Sequence, residues 1–319
     1  MCGRFASARK RMELLEEFGV QRDRVMESLR PDYNVAPTKP VYAVLTRRPK
    51  DPSESADGPA AGAKGEDAKG DDERPSEHAA SGDGSAERGP SAAEPAEHGG
   101  VRELRVVRWG LVPFWAKDMS IGSRLINARA ETVAEKPAFR RAFARHRCLI
   151  PADGFYEWEK TGDPAHPRKQ PYYIHRADGG VLAFAGLYEL WRDKKVPDDD
   201  PAAWVWTATI ITTRAEDEVG RIHDRMPMVI DPSRWADWLD PTATSPEALH
   251  GLLAPAAAAA HLTSHPVSTE VNSVRHNGPG LIEPVTDAAE PAGTPPVASS
   301  RAGAGERGGA SPSAPGTLF

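Results

Sequence analysis

A cysteine stands second in the chain, in Met1-Cys2-Gly3-Arg4-Phe5. Cysteine is small, so removal of Met1 would leave Cys2 carrying a free α-amine and a thiol on adjacent carbons. Such a 1,2-aminothiol does what no internal cysteine can. Its amine condenses with an aldehyde, and its thiol closes the imine into a thiazolidine ring. An α-amine titrates at about 7.7–8.0 and a thiol at about 8.5, so both are partly deprotonated near neutral pH. The reaction needs proton donors and acceptors, and three polar residues stand inside apolar segments. They are Asn127 in Leu125-Ile126-Asn127-Ala128, Glu157 in Phe155-Tyr156-Glu157-Trp158 and His223 in Ile222-His223-Asp224-Arg225-Met226-Pro227. Each has an ordinary alternative. Cys2 reads equally as a disordered surface thiol, Asn127 as a helix cap, Glu157 as the solvent face of a strand and His223 as a surface or packing residue.

The elements that would position these groups are mostly short strands. Val41–Thr46, Leu104–Arg108, Cys148–Ile150, Phe155–Trp158, Tyr172–His175, Val181–Leu187 and Val205–Thr213 have strand composition, and Met226–Ile230 follows. Ser7 caps an expected helix through Phe18, with Gly19 as its stop and Met12, Leu15 and Phe18 on one face. Pro31–Asn34 reads as a turn. Glu131–His146 reads as a helix that Pro137 must either begin or split. A short helix holds Trp235 and Trp238, and an alanine-rich helix follows around 246–260. The pattern predicts an α+β fold: one domain with a curled, barrel-like, mostly antiparallel sheet and peripheral helices.

Residues 51–100 contain no Val, Ile, Leu, Met, Phe, Tyr, Trp or Cys. Such a stretch has too little apolar surface to offset chain entropy, so it is expected to be a disordered insert between two hairpin strands. The tail from 286 to 319 is similarly rich in Pro, Gly, Ala and Ser. The expected domain is therefore 1–285, interrupted at about 51–100. The net charge of −6 hides an asymmetry: the insert has 13 acidic and 4 basic residues and the tail 3 and 2, which leaves the rest at +4. A mildly basic core is compatible with a polyanion partner. Two cysteines, Cys2 and Cys148, make no disulfide framework, and Cys148 beside Leu149 and Ile150 reads as a core thiol. Neither a signal peptide nor a membrane span is read, so a cytoplasmic setting is expected. No phosphate-binding glycine loop and no zinc spacing occurs, so no cofactor and no metal is expected.

Seven blocks in order carry a resemblance: Met-Cys-Gly-Arg-Phe at 1–5, Tyr-Asn-Val-Ala-Pro-Thr at 33–38, Trp-Gly-Leu-Val-Pro-Phe-Trp at 109–115, Asn-Ala-Arg-Ala-Glu-Thr at 127–132, Arg-Cys-Leu-Ile-Pro-Ala-Asp-Gly-Phe-Tyr-Glu-Trp at 147–158, His-Asp-Arg-Met-Pro at 223–227 and Val-Asn-Ser-Val-Arg at 271–275. The chain resembles the SRAP family, the SOS response-associated peptidases or abasic-site-processing proteins. The resemblance implies capture of an abasic site in single-stranded DNA as a covalent thiazolidine on Cys2. It implies Glu157 as a proton shuttle in formation and reversal, with the Tyr156/Trp158 setting raising its pKa. His223 is implied as the aid to sugar ring-opening and Asn127 as the group that orients Cys2. Arg4, Arg129 and Arg225 are implied as phosphate contacts, with Trp115 and Trp158 stacking on bases or wedging the strand. The peptidase label would cover removal of Met1. The implied protein is a DNA-repair enzyme, a monomer associated with the nucleoid when bound to DNA. Two other classes compete: a general thiol hydrolase using Cys2 and His223, and a non-catalytic single-strand-binding module.

Overall fold

Runs of β-branched and aromatic residues form most of this structure. The computed structural model describes residues 2–48, 100–162, 168–197, 199–253 and 261–285. In chain order the described elements are β1 (Phe5–Ser7), α1 (Arg11–Glu17), β2 (Arg22–Asp23), β3 (Asp32–Val35), β4 (Pro40–Arg47), β5 (Val101–Trp109), β6 (Asn127–Arg129), α2 (Arg140–Arg145), β7 (Arg147–Ala152), β8 (Gly154–Thr161), β9 (Arg168–Arg176), β10 (Leu182–Arg192), β11 (Trp204–Arg214), α3 (Asp217–Ile222), β12 (Arg225–Pro227), α4 (Trp235–Leu239), α5 (Pro246–Leu252) and β13 (Leu262–Pro266).

Strands β11, β10, β7, β4 and β5 lie side by side in antiparallel pairs. β5 then pairs back onto β11 in parallel, through Thr207↔Arg108 and Ala208↔Trp109, and closes a five-stranded barrel. β6 and β12 extend β11 beyond that closure, at Ile210–Arg214. A second, antiparallel sheet runs β13-β9-β8-β1-β3, with β1 at its centre flank between β8 and β3. The expected α+β fold with a curled, mostly antiparallel sheet is what the chain adopts.

Both faces of the barrel strands are buried. On β4, Val41, Ala43 and Leu45 point inward to Cys2, Phe5, Trp109, Ile150 and Phe184. Tyr42 and Val44 point outward, under Leu14, Phe18, Phe143 and Trp238 of the helices. Phe5 meets Trp109 edge-on at 5.1 Å and Phe184 at 5.8 Å. Each side chain so buried contributes roughly 1.5–3 kcal/mol. The interior is thus a packed core reached by the N-terminus.

Several local expectations change. Ser7 ends β1 and caps nothing; α1 starts at Arg11 after Lys10. Its buried pair is Leu14 and Phe18, while Met12 is 71% exposed. Gly19, at φ +56°, stops it as expected. The Glu131–His146 segment splits at Pro137, leaving a 3-10 turn at Ala130–Thr132 and a helix at Arg140–Arg145. Pro31–Asn34 is largely strand β3, and Asn127 opens strand β6. The β4–β5 hairpin is present, with Val44 opposite Leu104 and pairing up to Arg47↔Val101. The insert expected at 51–100, apart from Gly100, and the tail from 286 lie outside the described residues.

Candidate active site

Strand β1 fixes the N-terminus by pairing on both edges, Phe5 lying opposite Val35 and Phe155. The Tyr156 amide donates to the Arg4 carbonyl at 3.0 Å. Arg4 donates from Nη1 to Asn34 Oδ1 (2.6 Å) and to the Val271 carbonyl (2.7 Å). Asn34, fully buried, donates to the carbonyls of Val271, Ser273 and His276. Asp153 accepts from the Ala8 amide (2.6 Å) and Arg9 Nε (3.0 Å). These bonds tie residues 4–9 to segments far along the chain.

Cys2 is consequently buried, with 0% exposure, and is not a disordered surface thiol. Asn127 Nδ2 donates to the Cys2 carbonyl at 2.6 Å. The pairing of Asn127 with Ile210 sets that contact. Asn127 is therefore a strand residue that holds Cys2, not a helix cap. Burial, and next the charge of Glu157, push the Cys2 thiol well above its usual range.

Glu157 lies on β8, where alternation puts Phe155 and Glu157 on one face and Tyr156 and Trp158 on the other. Tyr156 and Trp158 pack on Val267, Val271 and Leu281. Tyr156 Oη donates to the Tyr33 carbonyl (2.7 Å), and Trp158 Nε1 donates to Asn272 Oδ1 (2.7 Å). Glu157 shares its face with Phe155, which packs in the Cys2 cluster, and is only 2% exposed. The expectation that its aromatic sequence neighbours supply an apolar setting is corrected: they sit on the opposite face, and the barrel side desolvates the carboxyl. That burial raises its pKa to about 7.

His223 follows α3 in extended conformation. Its Nδ1 lies 3.0 Å from the Arg225 amide nitrogen, 3.1 Å from Asp224 Oδ1 and 3.3 Å from the Arg225 carbonyl oxygen. Nε2 lies 4.0 Å from Glu157 Oε2. Burial lowers the His223 pKa, with Asp224 opposing. Near neutral pH the cluster thus holds a neutral thiol, a neutral imidazole and a carboxyl poised between its two forms. Such a set can pass protons without building up buried charge.

The arginines and tryptophans divide. Arg129 is exposed on the same side of β6 as Asn127, and its side chain makes no hydrogen bond among the described residues. Arg225 is held by a bidentate pair with Glu131 and by the Thr212 carbonyl (2.6 Å). Arg4 is held by Asn34 and Val271, with its guanidinium 6.0 Å from the Trp158 ring. Trp158 lies on the face of β8 opposite Glu157. Trp115, 51% exposed, does not join the Cys2 cluster: the next residue, Ala116, accepts from Trp191 Nε1 toward the far end of β10. Cys148 is buried, as expected. Sequence reasoning missed Asn34, Asp153 and Glu131. All three lie in quoted motif blocks, but their bonds reach partners 237, 145 and 94 residues away.

Among the described residues no group of three or more His, Cys, Asp or Glu could hold a metal ion, and no helix is long and apolar enough to cross a membrane. The family model described as SOS response associated peptidase (SRAP) matches residues 1–274. The abasic site processing protein YoqW of Bacillus subtilis (strain 168) is 35% identical over 283 residues, 89% of this chain and 99% of its own. The abasic site processing protein HMCES of Gallus gallus is 33% identical over 207 residues, 58% of each chain. A crystal structure of a protein from Bacteroides thetaiotaomicron shares the fold, with a TM-score of 0.60 and 23% identity over 89% of this chain and 100% of that one. Match extent, closed barrel and buried N-terminal cluster agree: the chain belongs to the SOS response associated peptidase (SRAP) family.

Proposed function

We propose that this protein processes abasic sites in DNA, capturing the lesion in a single-stranded region as a thiazolidine on Cys2. The observation that carries the reading is the placement of Cys2, whose carbonyl Asn127 holds at 2.6 Å while Glu157 and His223 stand 4.0 Å apart beside it. The names of the relatives supply the substrate.

With Met1 removed by the protein's own peptidase activity, the Cys2 amine attacks the C1′ aldehyde of the opened sugar. As the sugar opens, the Glu157 carboxylate takes the C1′ hydroxyl proton and His223, in its imidazolium form, supplies one to the ring oxygen. Glu157, protonated, gives a proton to the carbinolamine hydroxyl, and water leaves to form the imine. The thiol then adds to the imine carbon, and its proton reaches the nitrogen through Glu157. The net change is one C–N bond and one C–S bond formed and one water lost. The same steps reversed release the DNA. Arg129, with Arg4 and Arg225, contacts the phosphates, and Trp158 borders the lesion. The working unit is residues 1–285, acting as a DNA-associated monomer in the cytosol.

The general thiol hydrolase is less well supported. A nucleophilic thiol of that kind needs a depressed pKa, whereas burial raises this one. The test incubates the protein with single-stranded DNA carrying one abasic site. A band that survives denaturation, with intact mass equal to the chain without Met1 plus the DNA less one water, is expected. An equal yield from Cys2→Ala overturns the mechanism.

A further inference from the structure

The Cys2 cluster occupies one mouth of the barrel, and the other mouth is built differently. Strand β11 meets Asn127 at Ile210, and four residues earlier it carries Trp206. Strand β10 runs from Leu182 to Tyr188 six residues on, both packed in the interior cluster that also holds Cys2. At about 3.3 Å per residue the second mouth is about 13–20 Å away. There, a cleft of about 930 Å³ opens among β4, α2, β10 and β11.

Cations dominate its wall, which includes Arg47, Arg48, Arg141, Arg145 and Arg192. The described carboxylate among its lining residues is Glu189, buried and 3.5 Å from His146 Nδ1. Among the described residues, Arg47, Arg48, Arg141 and Arg145 have no carboxylate in ion-pairing distance, and all four are exposed. Aromatic planes stand between these charges. His146 stacks on Tyr188 at 5.0 Å, and Tyr188 on Trp206 at 5.6 Å. Arg105 and Arg47 lie 4.1 and 5.7 Å from the Trp206 ring centroid. Phe114, 54% exposed, faces Arg141 at 4.1 Å.

Unpaired arginines beside the exposed Phe114 ring and the half-buried Trp206 recognise a phosphodiester with an unstacked base. A purely acidic peptide would use the charges and leave the rings idle. We infer that this mouth is a second nucleic-acid site, which binds single-stranded DNA by phosphate contact and base stacking away from the Cys2 cluster. The inference needs no lesion, so it stands apart from the covalent reading.

The test uses the full chain and a lesion-free oligothymidylate, followed by fluorescence anisotropy across a salt series. Arg141→Ala with Arg145→Ala, both exposed, should lower the slope of log affinity against log salt by about 1.4, the share of two single-strand phosphate contacts. Phe114→Ala should weaken binding at least about 5-fold, the lower bound for one lost stack. Bromodeoxyuridine placed in the oligomer should photo-crosslink to the peptide holding Trp204 and Trp206 in parent and Cys2→Ala alike. An unchanged slope, crosslinks confined to the Cys2 mouth, or polyglutamate binding as tightly as the oligomer at equal charge would each overturn the inference.

Discussion

Replacing Glu157 by glutamine should stabilise the protein in alkaline buffer and do so progressively less toward acid. The carboxyl is buried and its pKa rises from an ordinary 4.5 to about 7. Between those values the folded protein keeps a proton that the unfolded chain releases. Folding then takes up a proton, so this contribution to stability is full below pH 4.5 and is lost as pH rises through 7. A displacement of that size corresponds to about 3 kcal/mol. Glutamine keeps the shape and has no proton to lose, so its curve lacks the decline. The difference between variant and parent should therefore grow by about 3 kcal/mol from pH 4.5 to pH 8.5, or roughly 6–12 °C in Tm for a domain of this size. Any pH-independent cost of the substitution cancels in that difference. Urea unfolding at five pH values, with the slope m checked for constancy, measures it. A difference that stays flat to within about 1 kcal/mol would refute the claim that the carboxyl is desolvated in the fold. A stabilised variant that captures DNA slowly is the expected trade at a site that holds an unfavourable charge for its chemistry.

His223 should titrate below 6.5 because burial disfavours its charged form, which NMR of the ring across pH measures; its stabilising effect is present above 6.5 and is lost as pH falls. Asn127→Ala leaves the buried Cys2 carbonyl without its 2.6 Å donor, and should cost about 1–3 kcal/mol in thermal denaturation. Gly110→Ala should destabilise by about 2–4 kcal/mol, since φ is +132° and a Cβ would stand 2.6 Å from the Gly122 carbonyl oxygen. Replacing residues 49–99 by a two-residue turn should raise stability by about 2 kcal/mol through the shorter loop, because β4 and β5 stay paired up to Arg47↔Val101; a lower Tm for that deletion would show that the segment contributes contacts of its own.

Composition and alternation made the barrel strands legible, from Val41–Thr46 through Val205–Thr213, each within a few residues of its bounds. They could not show the closure, because β5 meets β11 across about a hundred residues and no local period encodes that pairing. Asn127 lay in an apolar run that reads as helix start, and only its parallel pairing with Ile210 makes it strand. Glu157 shows a different limit. Period-two alternation separates its face from that of Tyr156 and Trp158, but it does not say which face meets solvent when both are covered. The cover on the aromatic side comes from Val267, Val271 and Leu281, more than a hundred residues later. Trp115 belonged to a quoted motif, yet its loop runs toward Trp191 and away from Cys2.

The position of β1 between β3 and β8 also sets a timetable for the nascent chain. Its two partners are β3 and β8, and the second begins at Gly154. Cys2 therefore cannot settle into the barrel until some 150 further residues have been made. At about 5–20 residues per second that interval is about 8–30 s. Throughout it the N-terminus is accessible to processing enzymes and to any free aldehyde in the cell. The last strand of the second sheet to be synthesised, β13, and the Val271–His276 segment that Asn34 gathers come later still. Cys2 is thus made long before the strands that enclose it, so the time it spends unenclosed depends on how quickly the C-terminal half arrives.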